Sequence, residues 1–239
     1  MGDAKMMDRG SNSGGSYMNE INQHKRVNDI LLGPLERPAL RWLAAHMPAW
    51  VTPDICTAIG VLGALLTMFS YGLSNYSPNF LWLASLGFVI NWFGDSLDGT
   101  LARYRRVERP RYGFYIDHIT DVVCQVMIFL GLGLTPYVSL NVACLALIGY
   151  LLLSVLVYVR TYVAGEFKIS YGRLGPTESR ALAVLLNTAI YFFGLQNIVF
   201  GQEIFSIYDI PVAALAVLLL SFFLNTATRE ARRLAALGE

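Results

Sequence analysis

Asp95-Ser96-Leu97-Asp98-Gly99-Thr100-Leu101-Ala102-Arg103, followed after a basic linker by Gly113-Phe114-Tyr115-Ile116-Asp117-His118-Ile119-Thr120-Asp121, is the stretch on which the reading of this chain turns. Its four aspartates lie where two strongly apolar segments meet. An ionised carboxylate within a membrane is costly unless something compensates it, so intramembrane acids are functional candidates by default. On a helix, Asp95 and Asp98 share a face that Ala102 continues, and Gly113, Asp117 and Asp121 form a second such stripe on the next helix. Two helices that each present a pair of acids can enclose one or two hard divalent cations, which take oxygen ligands. Gly99 and Gly113 carry no Cβ, which leaves room for a phosphate or sugar to approach the backbone.

The rest of the chain reads as an all-α integral membrane protein. Of its 239 residues 55% are hydrophobic and 15% charged, with a mean hydropathy of +0.48. Six apolar runs of membrane-spanning length are expected, near 54–75, 80–98, 113–134, 141–163, 180–200 and 209–226. All 18 Lys and Arg fall before the first run, between the second and third, around the fourth-to-fifth connection, or after the sixth. The opposite connections, 74–79, 135–141 and 196–208, contain none. By the positive-inside rule both termini and the acidic stretch face the cytoplasm, an asymmetry that the net charge of +1 conceals. Asp95 lies 15 residues into the second run from its outer end at Phe80, roughly 22 Å at 1.5 Å per residue, so the acids belong to the cytoplasmic half.

Four regions follow: a tail over 1–18, an amphipathic segment over 19–50, the six-helix domain over 51–228 and a cytoplasmic tail over 229–239. The first tail is Gly- and Ser-rich and expected to be disordered. It has no apolar signal-peptide core, and Met6 stands where a myristoylation motif needs Ser or Thr. In the amphipathic segment Leu40, Leu43, Ala44 and Met47 repeat at helical spacing, with Trp42 and Trp50 suited to the headgroup level. This predicts an interfacial helix on the membrane surface, an ordinary cytosolic helix being the plainer alternative, and Pro34 and Pro38 suggest a break between two pieces.

The pattern Asp-x2-Asp-Gly-x2-Ala-Arg-x9-Gly-x3-Asp-x3-Asp resembles the signature of the CDP-alcohol phosphotransferases, membrane enzymes of phospholipid synthesis, and all eight of its positions are filled. The resemblance implies Asp95, Asp98 and Asp117 as ligands of Mg2+ or Mn2+, two ions in all, with Asp121 as general base also touching the second metal. It further implies a CDP site shaped by Gly99, Ala102, Arg103 and Gly113, and a homodimer. Arg103 is placed to pair with a diphosphate through two parallel hydrogen bonds that Lys cannot reproduce. The size and six-span plan look most like the family's CDP-diacylglycerol branch, with a small polar acceptor such as glycerol 3-phosphate, inositol phosphate or serine. The other branch, CDP-choline or CDP-ethanolamine with a lipid alcohol, shares the signature.

Outside the signature the signals are weaker. Pro53-Asp54-Ile55-Cys56-Thr57 is similar to a Pro-Asn-x-x-Thr motif of the family with Asp in place of Asn, and helix capping is its plain role. The linker arginines Arg105, Arg106, Arg109 and Arg111 read mostly as a solvated loop. The region from Arg160 through Gly175-Pro176-Thr177-Glu178-Ser179-Arg180 looks like the family's acceptor region, with Arg160, Lys168, Arg173 and Arg180 as candidates to bind an anionic acceptor or headgroups. Thr177 is expected to cap the fifth span. Cys56, Cys124 and Cys144 read as buried thiols, and His118 as a packing residue pointing off the acidic face. Nothing points to nucleic-acid binding. Two rivals remain, an aspartate-rich intramembrane prenyltransferase and a cation carrier. Prenyltransferase motifs usually lie further apart than the 19 residues between Asp98 and Asp117.

Overall fold

The structure is a computed structural model that describes residues 32–164, 175–200 and 203–237. The tail over 1–18, the first part of the amphipathic segment, Lys168 and Arg173 lie outside the described residues. The helices are α1 (Gly33–His46), α2 (Pro53–Leu73), α3 (Phe80–Arg105), α4 (Pro110–Gly133), α5 (Leu140–Ala164), α6 (Pro176–Phe193) and α7 (Asp209–Leu237). An antiparallel hairpin, β1 (Asn197–Phe200) with β2 (Glu203–Ser206), joins α6 to α7, an element the apolar pattern did not predict.

Five helices, α2 to α5 and α7, are long and apolar enough to cross a membrane. The fifth predicted run, 180–200, is different. Its helix α6 begins earlier, at Pro176, and stops at Phe193, where Gly194 takes a φ of 67°. α6 is less apolar because its polar residues face protein: Glu178, Arg180 and Asn187 are all buried. Asn187 accepts from the Tyr71 hydroxyl at 2.9 Å and donates to Ser85 Oγ at 3.1 Å. At the other end, α7 runs on through Leu237, so most of the expected tail over 229–239 is helix. Glu230 there meets Arg160 of α5 at 3.5 Å.

α2 is the central strut. It packs along α3 and against α4, α5 packs on α4 and α7, and α6 and α1 both lie on α3. The α2–α3 contact is backbone against backbone. A Cβ on Gly63 would come within 2.4 Å of the Asn91 nitrogen, and one on Gly94 within 2.3 Å of the Gly60 nitrogen. Small residues permit such approach between membrane helices, where packing and not water exclusion drives association.

α1 is one uninterrupted helix. The predicted break is absent: Pro34 sits in the first turn, where no N–H is needed, and Pro38 forfeits a single bond to the Pro34 carbonyl. Its apolar stripe faces the bundle, with Leu40 and Ala44 buried in a core with Val51, Cys56, Leu97 and Leu101, and Trp42 pointing outward. Arg105 fastens the α1–α2 connection, its guanidinium donating to the carbonyls of Met47 (2.9 Å), Pro48 (2.8 Å) and Val51.

Candidate active site

α3 and α4 both rest on α2 without packing extensively on each other. Their acids therefore face one another across a cleft whose floor is α2. Thr57, Gly60 and Val61 supply that floor, Asn91 and Asp95 one wall, and Thr120, Asp121 and Cys124 the other. The helices run antiparallel, which brings Asp121 within electrostatic range of Asp95 and Asp117, and Asp98 within range of Asp117 and Asp95. All four predicted aspartates thus belong to one site.

Each carboxylate is held differently. Asp98 is buried; its Oδ2 accepts from the Thr57 hydroxyl at 2.7 Å and its Oδ1 from the Gly99 N–H at 2.5 Å. Asp95 Oδ2 accepts from Arg180 Nη2 at 2.7 Å, and Arg180 Nε donates to Asn91 Oδ1 at 2.8 Å. Asn91 in turn donates to the Gly60 carbonyl at 2.9 Å. Arg180 Nη1 is buried and has no hydrogen-bond partner among the described residues. Because a buried orphan donor is destabilising, it marks a place where an anion would be welcome.

The other predicted residues divide. Arg103 folds back along α3, donating to Thr100 Oγ1 at 3.3 Å, and its guanidinium lies against Gly99, where a Cβ would stand 3.3 Å from Nη1. Gly113 faces open space. Ala102 continues the acidic stripe of α3 as expected. Arg160 pairs with Glu230 at 3.5 Å, a contact that joins α5 to α7. The His118 ring lies 4.0 Å from that of Phe114 and 5.1 Å from that of Tyr158.

Three expectations need correction. Asp54 does not cap α2: Thr52 does, accepting from the Ile55 N–H at 3.3 Å, while Asp54 pairs with Arg109 Nη2 at 2.5 Å. Arg109 and Arg105 are consequently not free loop charges, and Arg109 also lies 4.1 Å over the Tyr112 ring. Thr177 is not the cap of α6 either; Gly175 holds that place, its N–H donating to Glu178 Oε2 at 2.9 Å. Thr177 instead donates to Glu36.

Thr57, Asn91 and Glu36 belong to the site or its support and were not singled out from the sequence. Thr57 stood within a motif already noted, and Asn91 lies one turn before Asp95 on the same face, so both had a spacing signal. Glu36 had none.

Both walls offer only oxygen donors at acidic positions, which suits hard divalent cations and a diphosphate. Among the described residues no three of these side chains converge on one point, Asp95 being turned to Arg180 and Asp98 to Thr57.

Comparison with known proteins agrees with this arrangement. The chain is 26% identical over 166 residues to a cholinephosphotransferase 1 of Danio rerio, covering 64% of this chain and 42% of that protein. It is 25% identical over 189 residues to a cholinephosphotransferase 1 of Gallus gallus, covering 75% and 56%. A phosphatidylinositol phosphate synthase of Cutibacterium acnes is 33% identical over 90 residues, covering 38% and 41%. The chain spans about half the length of these relatives. A family model for CDP-alcohol phosphatidyltransferases matches residues 50–226, from the start of α2 through most of α7 and including the whole acidic cleft, and the chain belongs to that family.

Proposed function

We propose that this protein transfers a substituted phosphate group from a CDP-linked donor to the hydroxyl of an alcohol and releases CMP. The observation that carries this reading is the cleft: eight signature residues lie on two helices whose acids oppose one another, within a bundle of apolar helices. The family uses a divalent metal, and the carboxylate oxygens on the two walls suit Mg2+ or Mn2+. Asp95, Asp98 and Asp117 would hold two such ions with a share from Asp121, and when bound the ions would offset charge developing on the diphosphate.

The remaining work falls to this chain's own side chains. Asp121 accepts the proton of the acceptor hydroxyl, for which it must lie within hydrogen-bond reach. The freed oxygen bonds to the phosphorus distal to cytidine, the bond from that phosphorus to the bridging oxygen breaks, and CMP carries the electron pair away. Arg103 pairs with the diphosphate, and Gly99, Ala102 and Gly113 keep room for the nucleotide. Arg180 directs its unpartnered Nη1 at an anionic acceptor.

That buried cation favours CDP-diacylglycerol as donor and a small, negatively charged polar alcohol as acceptor over a neutral lipid alcohol. The second reading, an aminoalcohol phosphotransferase, draws on the longer similarity to cholinephosphotransferases. The distribution of Lys and Arg supports an orientation with both termini and the cleft on the cytoplasmic side. The working unit is a homodimer, as the signature resemblance implies.

The test is CMP release by the purified protein with Mg2+. One arm offers CDP-diacylglycerol with glycerol 3-phosphate, inositol phosphate and serine; the other offers CDP-choline or CDP-ethanolamine with diacylglycerol. Release in the first arm is expected. Release in the second alone would transfer the protein to the aminoalcohol branch, and diphosphate release from a prenyl donor, or metal flux without CMP, would overturn the proposal.

A further inference from the structure

We propose that Glu36, on the helix outside the bundle, is a positioning residue that sets Arg180 against the acidic cleft. Glu36 Oε1 accepts from Trp92 Nε1 at 2.9 Å, Ser96 Oγ at 2.9 Å and Thr177 Oγ1 at 3.1 Å, and Oε2 also lies 3.1 Å from the Thr177 hydroxyl. Trp92 and Ser96 each follow, by one residue, the two α3 residues that Arg180 grips, Asn91 and Asp95. Thr177 lies one turn before Arg180 on α6. The same two helices are thus cross-linked twice, once inside the cleft by Arg180 and once behind it by Glu36.

A carboxylate suits this place because it accepts several hydrogen bonds and offers none. Two hydroxyls and an indole, all donors here, converge on it from two helices. A second tie acts in the same direction: Glu178 Oε1 accepts from the Leu32 N–H at 2.8 Å, joining the start of α1 to the start of α6. α1 therefore works as a clasp over the ends of α3 and α6. Without Glu36, Arg180 would still reach Asp95, but the first turn of α6 would lose its anchor to α3 and the orphan Nη1 its fixed direction.

The inference rests on Arg180 as the acceptor-side cation, and two measurements keep the claims apart. The first is amide hydrogen exchange over residues 177–182 of the full chain in lipid nanodiscs. Glu36→Ala is expected to speed exchange there about tenfold while leaving α2 and α4 unchanged, and Glu36→Gln, which keeps an acceptor oxygen, to restore protection. The second is steady-state CMP release with whichever of glycerol 3-phosphate, inositol phosphate, serine or diacylglycerol sustains it. Glu36→Ala should raise the acceptor KM about tenfold and leave the donor KM within about twofold, with no added effect in an Arg180→Ala background. Fast exchange at 177–182 with Arg180→Ala leaving the acceptor KM unmoved would defeat the role given to Arg180 and retain Glu36 as the anchor of α6. Unchanged exchange in Glu36→Ala, or equal damage to both KM values without rescue by Gln, overturns the proposal.

Discussion

Arg180, from the first turns of α6, reaches across to Asp95 of α3 at 2.7 Å and is itself almost wholly buried. A buried guanidinium is held firmly only when its other hydrogen bonds are met, and the described residues leave one of the Arg180 nitrogens unmet. Arg180→Lys keeps the charge but loses the fork that spans Asn91 and Asp95. Its acceptor KM should rise about tenfold or more while CDP binding stays near normal. A titration of CMP release against acceptor measures this, and a normal KM would remove Arg180 from the acceptor side.

Asp121→Asn replaces the proposed base by a nearly isosteric amide that cannot take a proton. Turnover is expected to fall by about 10^2 to 10^4 while Mg2+-dependent binding of CDP persists. Calorimetric titration with CDP separates the two effects. Parallel loss of binding and rate would make Asp121 chiefly a ligand.

Thr57, on the floor of the cleft, holds Asp98 through a 2.7 Å hydrogen bond. Thr57→Val should raise the Mg2+ concentration needed for half-maximal activity about tenfold, in keeping with the usual effect of losing a ligand's outer partner. Thr57→Ser should recover most of it. An unchanged Mg2+ dependence would show that Asp98 does not need this support.

Chelation offers a direct check on the metal. EDTA should abolish CMP release, and excess Mg2+ or Mn2+ should restore it, whereas Ca2+, with its looser coordination, should restore little. Activity that survives EDTA would exclude a metal-dependent transfer.

Gly94→Ala tests the strut. The new methyl would stand 2.3 Å from one backbone nitrogen and 2.4 Å from the Cys56 carbonyl oxygen, neither of which can swing aside. Overpacking of this kind typically costs about 1–3 kcal/mol, so the unfolding temperature should drop measurably in the same detergent. The same change at Gly113, which faces open space, should leave it unaltered.

Much of this was legible in the chain. Apolar run length and the spacing of Asp95, Asp98, Asp117 and Asp121 depend only on local geometry, since a helix puts every third or fourth residue on one face whatever its neighbours are. Five of the helices and the identity of the acidic positions follow from that alone. What periodicity cannot tell is who meets whom across helices. Glu36, Trp92, Ser96 and Thr177 meet only after α1 has docked by Leu40 and Ala44, and no spacing links residues so far apart.

The character of α6 depends on the same thing. Glu178, Arg180 and Asn187 lower its apolar character, and only the fold supplies the partners that make their burial affordable. Asp54 and Arg109, read as a cap and a loop charge, likewise found each other in three dimensions. The sequence by itself determined the helices and the acids they carry, because those are properties of single segments. Tertiary structure alone decided that α2 holds the two acid-bearing helices apart as a cleft and that Arg180 enters it, because close packing between glycine-lined backbones sets distances that no single helix encodes.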